Sequence, residues 1–93
     1  KDLCLTDESF VKLKSLILHE NLRQLEKWGI QDHLPSEWLM FAAEELGETA
    51  KAIGEWDYRY GLVENVVKEA IQTATLMLKI AEMFQDLLVT KVK

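Results

Sequence analysis

The residues of this chain best suited to chemistry fall into two pairs, Glu45 with Glu48 and, some twenty residues on, Glu69 with Gln72. Residues three or four apart share one face of a helix, so each pair can aim its side chains at a single point. Three carboxylates and an amide carbonyl make an all-oxygen donor set of the kind that a hard divalent cation favours. The competing reading is a solvated helix face rich in glutamate. Helical-wheel position argues against it: Glu45 has Phe41, Ala42, Thr49 and Ala52 as neighbours, with Trp38 and Trp56 further along the same side. Glu69 lies between Val66 below and Thr73 and Leu76 above, on a stripe continued by Leu62, Ile80 and Leu87. A carboxylate on such a stripe is costly unless something pairs with it, and the nearby basic residues are too few to pair both. A shared cation is the economical explanation.

Helices must carry these pairs. Thr6-Asp7-Glu8-Ser9 reads as a helix start, with a capping side chain and acidic residues in the first turn. From there Phe10, Leu13, Ile17, Gln24 and Trp28 share a side, with Leu18 and Leu25 close by, which predicts a helix of about five turns ended by Gly29. Asn21 and Gln24 lie on its core-facing arc and Glu20 at the edge; amides so placed are either satisfied core groups or ligand contacts. A loop over residues 29–35 follows, with His33 as a loop residue and Ser36 as the expected N-cap of a second helix over residues 37–55. Its expected buried stripe is Leu39, Ala43, Leu46, Ala50 and Ile53; Gly47 within it marks either close approach of a backbone or ligand, or simple tolerance.

Residues 54–61 read as irregular, two glycines bracketing three aromatics and Arg59. Tyr58, Arg59 and Tyr60 either meet a base or phosphate or plug the end of a bundle. The last helix is expected from residue 62 to about 89, with a bend that would give a short fourth piece. Its apolar arc, including Val66, Ile71, Met77, Leu78, Phe84 and Leu88, spans more than half the circumference. Such a helix is covered on two sides. In a short chain the second cover is expected to be another subunit, giving a homodimer or homotetramer. The fold class is all-α, a bundle of three long helices forming one domain over residues 1–93.

Composition narrows the function. The chain has 93 residues, 48% of them apolar, with one proline and four glycines, which fits a small globular domain with a thin core. A net charge of −5 speaks against nucleic-acid polymers and anionic membranes, which select clustered Lys and Arg, but leaves room for a small phosphate ligand whose charge a metal offsets. With a single cysteine, Cys4, no intramolecular disulfide forms and a reducing compartment, the cytoplasm, is expected. Cys4, beside Leu3 and Leu5, reads as a small apolar residue rather than a reactive thiol. No apolar run is long enough to span a membrane. Beginning at Lys1 with neither methionine nor leader-like segment, the chain is expected to lack a few native residues.

Other chemistries fit poorly. Glu-x-x-His pairs of di-iron bundles are missing, since Leu16 precedes His19 and Ile30 precedes His33 at that spacing; His19 reads as a surface helix residue. Zinc clusters need more Cys and His, and there is neither a phosphate-cradling glycine loop nor a GxSxG elbow. What the chain does carry is Glu45-x-x-Glu48, a spacer, then Glu69-x-x-Gln72, preceded by Arg23-Gln24 and Lys27-Trp28-Gly29. Together with Glu44-Glu45-Leu46-Gly47-Glu48, Lys51-Ala52-Ile53 and Glu69-Ala70-Ile71-Gln72-Thr73-Ala74, this order resembles the MazG-like nucleoside triphosphate pyrophosphohydrolases, whose hallmark is ExxE, a spacer, then ExxD. The departure is Gln72 in the last acidic position, an oxygen donor without charge.

The resemblance implies hydrolysis of (deoxy)nucleoside triphosphates between the α and β phosphorus atoms, in a house-cleaning or pool-balancing role. It implies Mg²⁺, with Mn²⁺ able to substitute, on Glu45, Glu48, Glu69 and Gln72, and Glu44 as a further ligand or base among the catalytic glutamates. It assigns Arg23, Lys27, Lys51 and Arg59 to phosphate charge and Asn21, Gln24, Trp28 and Trp38 to base and sugar, in a site built at a dimer interface. A phosphoribosyl-ATP pyrophosphohydrolase is less favoured by the first-helix block. Gln72 sustains a reading from another class, a helical oligomerisation or regulatory module that binds nucleotide without turnover.

Overall fold

The computed structural model describes residues 3–92, with side chains through Leu88. Lys1, on which the reading of the chain's start rests, lies outside them. The described residues form three helices and no strand: α1 (Asp7–Trp28), α2 (Pro35–Tyr58) and α3 (Val63–Val92). At the start of α1, Thr6 Oγ1 accepts the Ser9 N–H at 3.3 Å, with Asp7 and Glu8 in the first turn; Gly29, at φ +72°, donates its N–H to the Leu25 carbonyl at the other end. Both ends follow from capping chemistry.

α2 is longer than expected at both ends. Ser36 is not its N-cap: Pro35 takes the first helical position, where its missing N–H costs nothing, and the Glu37 carboxylate accepts the Leu34 N–H at 2.8 Å. At the far end the helix runs through Gly54 to Tyr58, so the segment expected to be irregular is mostly helical. A Cβ at Gly54 would meet nothing within 4 Å, and a glycine there costs only about 1 kcal/mol of helix stability. The stop comes at Tyr60, held at φ +56°, and at Gly61, whose N–H donates to the Glu55 carbonyl. A Cβ at Gly61 would sit 2.8 Å from the Glu55 carbonyl carbon, so only glycine closes this turn. α3 is a single helix, and the fourth piece does not form among the described residues.

α2 and α3 pack antiparallel: Trp38 lies beside Lys79, Ala42 beside Leu76, Glu45 beside Gln72 and Thr49 beside Thr73. α1 packs on α3, and among the described residues it does not pack on α2. The core is correspondingly small, Trp38, Ala42 and Leu76 with Ile80 against them. The expected stripe on α2 is overturned. Leu39, Leu46 and Ile53 are 54%, 60% and 44% exposed, and the face packed on α3 is instead Trp38, Ala42, Glu45, Thr49 and Ala52. Gly47 meets nothing within 4 Å either, so it marks no close approach. Cys4 is exposed.

The accessible surface is 7,856 Å². A folded monomer of this mass shows about 5,500 Å². The radius of gyration, 15.3 Å, likewise exceeds the value of about 12 Å for a compact chain of this length. Among the described residues no helix is long and apolar enough to cross a membrane.

Candidate functional site

Because α1 leans on α3 without reaching α2, a groove of about 830 Å³ opens between them, within the size range of small-ligand sites. α1 contributes Asn21, Arg23, Gln24 and Trp28, the following loop His33, α2 Trp38, Phe41, Glu44 and Glu45, and α3 Gln72, Leu76 and Lys79. The groove has two levels.

At the acidic level the spacing of α2 and α3 is fixed by two threonines. Thr49 Oγ1 lies 2.8 Å from the Glu45 carbonyl, Thr73 Oγ1 lies 2.9 Å from the Glu69 carbonyl, and the two hydroxyls lie 3.2 Å apart across the helices, so one donates to its own carbonyl and accepts from the other. The threonine pair thus ties the backbone of a glutamate one turn earlier to the opposite helix. The Gln72 amide sits between the carboxylates. Oriented to satisfy its hydrogen bonds, Nε2 donates to Glu45 Oε2 at 2.7 Å and to Glu69 Oε2 at 2.9 Å. Burial, hydrogen bonding with Glu69 and the charges of Glu69, Glu48 and Glu20 push the Glu45 carboxyl up to about 7.

The same distances accommodate a cation. Half a turn of the amide brings its carbonyl oxygen to that position, 2.7 and 2.9 Å from one oxygen of each carboxylate, an all-oxygen donor set of the kind Mg²⁺ takes. The residues that could hold a hard metal are therefore Glu45, Glu69 and Gln72. Glu48 is exposed on the next turn, acting on Glu45 through its charge. Among the described residues no three His, Cys, Asp or Glu side chains form a metal-holding group by themselves.

Two turns away lies the aromatic level. His33, Trp38 and Phe41 pack edge to face, with ring centroids 4.9 to 6.0 Å apart. His33 Nδ1 is 3.9 Å from Glu37, and its Nε2 is buried with no hydrogen-bond partner among the described residues. Such an orphaned polar atom is uncommon in a finished core.

Behind both levels runs a polar relay. Glu20, expected at the edge of α1, is 7% exposed. Arg23 grips it with two hydrogen bonds, 2.9 and 2.8 Å, Gln24 Nε2 donates to it at 2.7 Å, and Lys79 Nζ donates to Gln24 Oε1 at 2.8 Å while lying 5.2 Å from the centre of the Trp38 ring. Burial alone would raise the Glu20 carboxyl, but the bonds from Arg23 and Gln24 and the charges of Arg23 and Lys68 hold it below its ordinary value. The bond to Glu20 raises Arg23, with support from the Glu45 and Glu69 charges. Burial draws Lys79 down, against the charges of Glu20 and Glu82.

The structure thus gathers Asn21, Arg23, Gln24, Trp28, Trp38, Glu44, Glu45 and Gln72 on one groove, with Glu69 bonded into it. Lys51 and Arg59 do not line it; nor does Lys27, which lies 4.7 Å from the Trp28 ring centre, and His19 is exposed. Sequence reasoning gave Phe41 and Lys79 no role. The available signal was register: Trp38 precedes Glu45, and Lys79 follows Gln72, by the same seven residues. Compared with protein-family models, curated proteins and solved structures, the chain matches none.

Proposed function

We propose that this chain is a Mg²⁺-dependent nucleoside triphosphate pyrophosphohydrolase that works in the cytoplasm as a homodimer or homotetramer. The observation that carries the reading is a single groove with an acidic cluster, Glu45, Glu69 and Gln72, at one level and an aromatic nook, His33, Trp38 and Phe41, two turns away. A nucleoside triphosphate has that polarity, polyphosphate at one end and a planar ring at the other. Two carboxylates with an amide carbonyl suit Mg²⁺, which is commonly held by one or two carboxylates and completed by substrate phosphates. Bound there, the ion would offset the charge of the triphosphate and of the transition state.

This chain's residues do the rest. Arg23, with 43% of its side chain exposed beside the groove, is the nearest guanidinium for phosphate oxygens. Glu44, which lines the groove next to the carboxylates that would hold the ion, takes a proton from the attacking water as that water's oxygen bonds to phosphorus and the α–β bridging bond breaks, leaving a monophosphate and pyrophosphate. The excess surface and the exposed Leu39, Leu46 and Ile53 support assembly with further copies.

One observation favours a second reading, nucleotide binding without turnover: the Gln72 amide can itself donate to both carboxylates. Incubating the protein with each dNTP and Mg²⁺ and assaying pyrophosphate separates the two. Release that Glu45→Gln abolishes is expected; binding without release from any dNTP supports the module.

A further inference from the structure

The cation deepest in the groove is Lys79, and its placement speaks to the ligand. Gln24 accepts from Lys79 and donates to Glu20, and because lysine can only donate, the orientation of the Gln24 amide is fixed. Gln24 is 7% exposed and Glu20 is clamped by Arg23, so the relay holds the Lys79 head rather than letting it sweep through solvent. The Gln24 bond uses one of three ammonium donors; others remain for a ligand in the groove that Lys79 lines.

Distance decides which part of a ligand it meets. Seven residues of α3 put Lys79 about 10 Å from Gln72, the level at which a polyphosphate would sit, and level with Trp38 on α2. That span matches the reach from a nucleotide's β-phosphate through its sugar to the edge of its base. A donor-only group beside a planar ring selects the base edge that accepts: uracil and thymine present a carbonyl at C4 and guanine at C6, where cytosine and adenine present an amino group.

We infer that Lys79, anchored by Gln24 and lying against Trp38, is a specificity-determining residue that selects nucleotides with a keto rather than an amino edge. The inference rests on the nucleotide reading proposed above and names the substrate class for that site.

Calorimetric titration of the protein in Mg²⁺ with the α,β-imido analogues of dUTP, dCTP, dGTP and dATP tests it. The keto member of each pair is expected to bind at least about tenfold more tightly than its amino counterpart, and Lys79→Met to bring both ratios near one. Lys79→Gln, whose amide offers donor or acceptor alike, gives the same collapse if the methionine variant fails to fold. A preference that persists in the variants, or a loss equal for all four analogues, would mean that Lys79 does not read the base. If no analogue binds the unmodified protein, the nucleotide reading itself fails, and this inference with it.

Discussion

The two faces of α2 are arranged in reverse of the usual order. The inner face packs Trp38, Ala42, Glu45, Thr49 and Ala52 against α3, while the outer face leaves Leu39, Leu46 and Ile53 in solvent. A helix that turns a half-buried carboxylate and a half-buried threonine inward while exposing leucines is not optimised for a monomer's stability. Under the function proposed above, this inversion has a reason: the inner face would serve a ligand and the outer face a neighbouring subunit.

The largest effect is expected from a charge placed on the outer face. Leu46→Glu should convert a dimeric or tetrameric species into a monomer of sharply lower stability, read by light scattering with size exclusion. An unchanged mass would mean that this face is not an interface. On the inner face, Trp38→Ala should cost about 3 kcal/mol in urea unfolding, because Trp38 is 8% exposed at the centre of a small core.

A pH series sharpens the contrast. Between the unfolded carboxyl value of 4.5 and about 7, the folded chain keeps a proton on Glu45 that the unfolded chain has released, so metal-free stability falls as pH rises through that window. Glu20 acts in the opposite sense and lower, its contribution present above 4.5 and lost as pH falls through its lowered value. In chelator, the denaturation midpoint is therefore expected to be lower at pH 8 than at pH 5.5, and Glu45→Gln to flatten the difference. The smallest effect is expected from Thr73→Val, which removes the hydroxyl facing Thr49 and its bond to the Glu69 carbonyl, about 1 kcal/mol by denaturation.

Much of this arrangement was legible in the residues. Thr6 and Gly29 marked the ends of α1, and the polar placement of Glu45 and Glu69 on otherwise apolar stripes anticipated their turn toward each other. The outer leucines misled because periodicity reports that a face is apolar, not which neighbour covers it. On a helix apolar on two sides, the larger residues do not mark the intramolecular face. The corner over residues 54–61 misled for a local reason: Gly54 weakens a helix without ending it, whereas the left-handed Tyr60 with Gly61 captures the last carbonyls. Lys79 was illegible because a lysine between Leu78 and Ile80 reads as a surface residue; only the partnership with Gln24, 55 residues away, reveals it.

If Glu45 and Glu69 turn inward to hold a cation, Glu69→Leu should show it in melting temperatures measured in chelator and in Mg²⁺. Removing one of two facing carboxylates should raise the melting temperature in chelator and erase the stabilisation by Mg²⁺ expected of the unmodified protein. A variant that still gains stability from Mg²⁺ as the unmodified protein does would contradict the account.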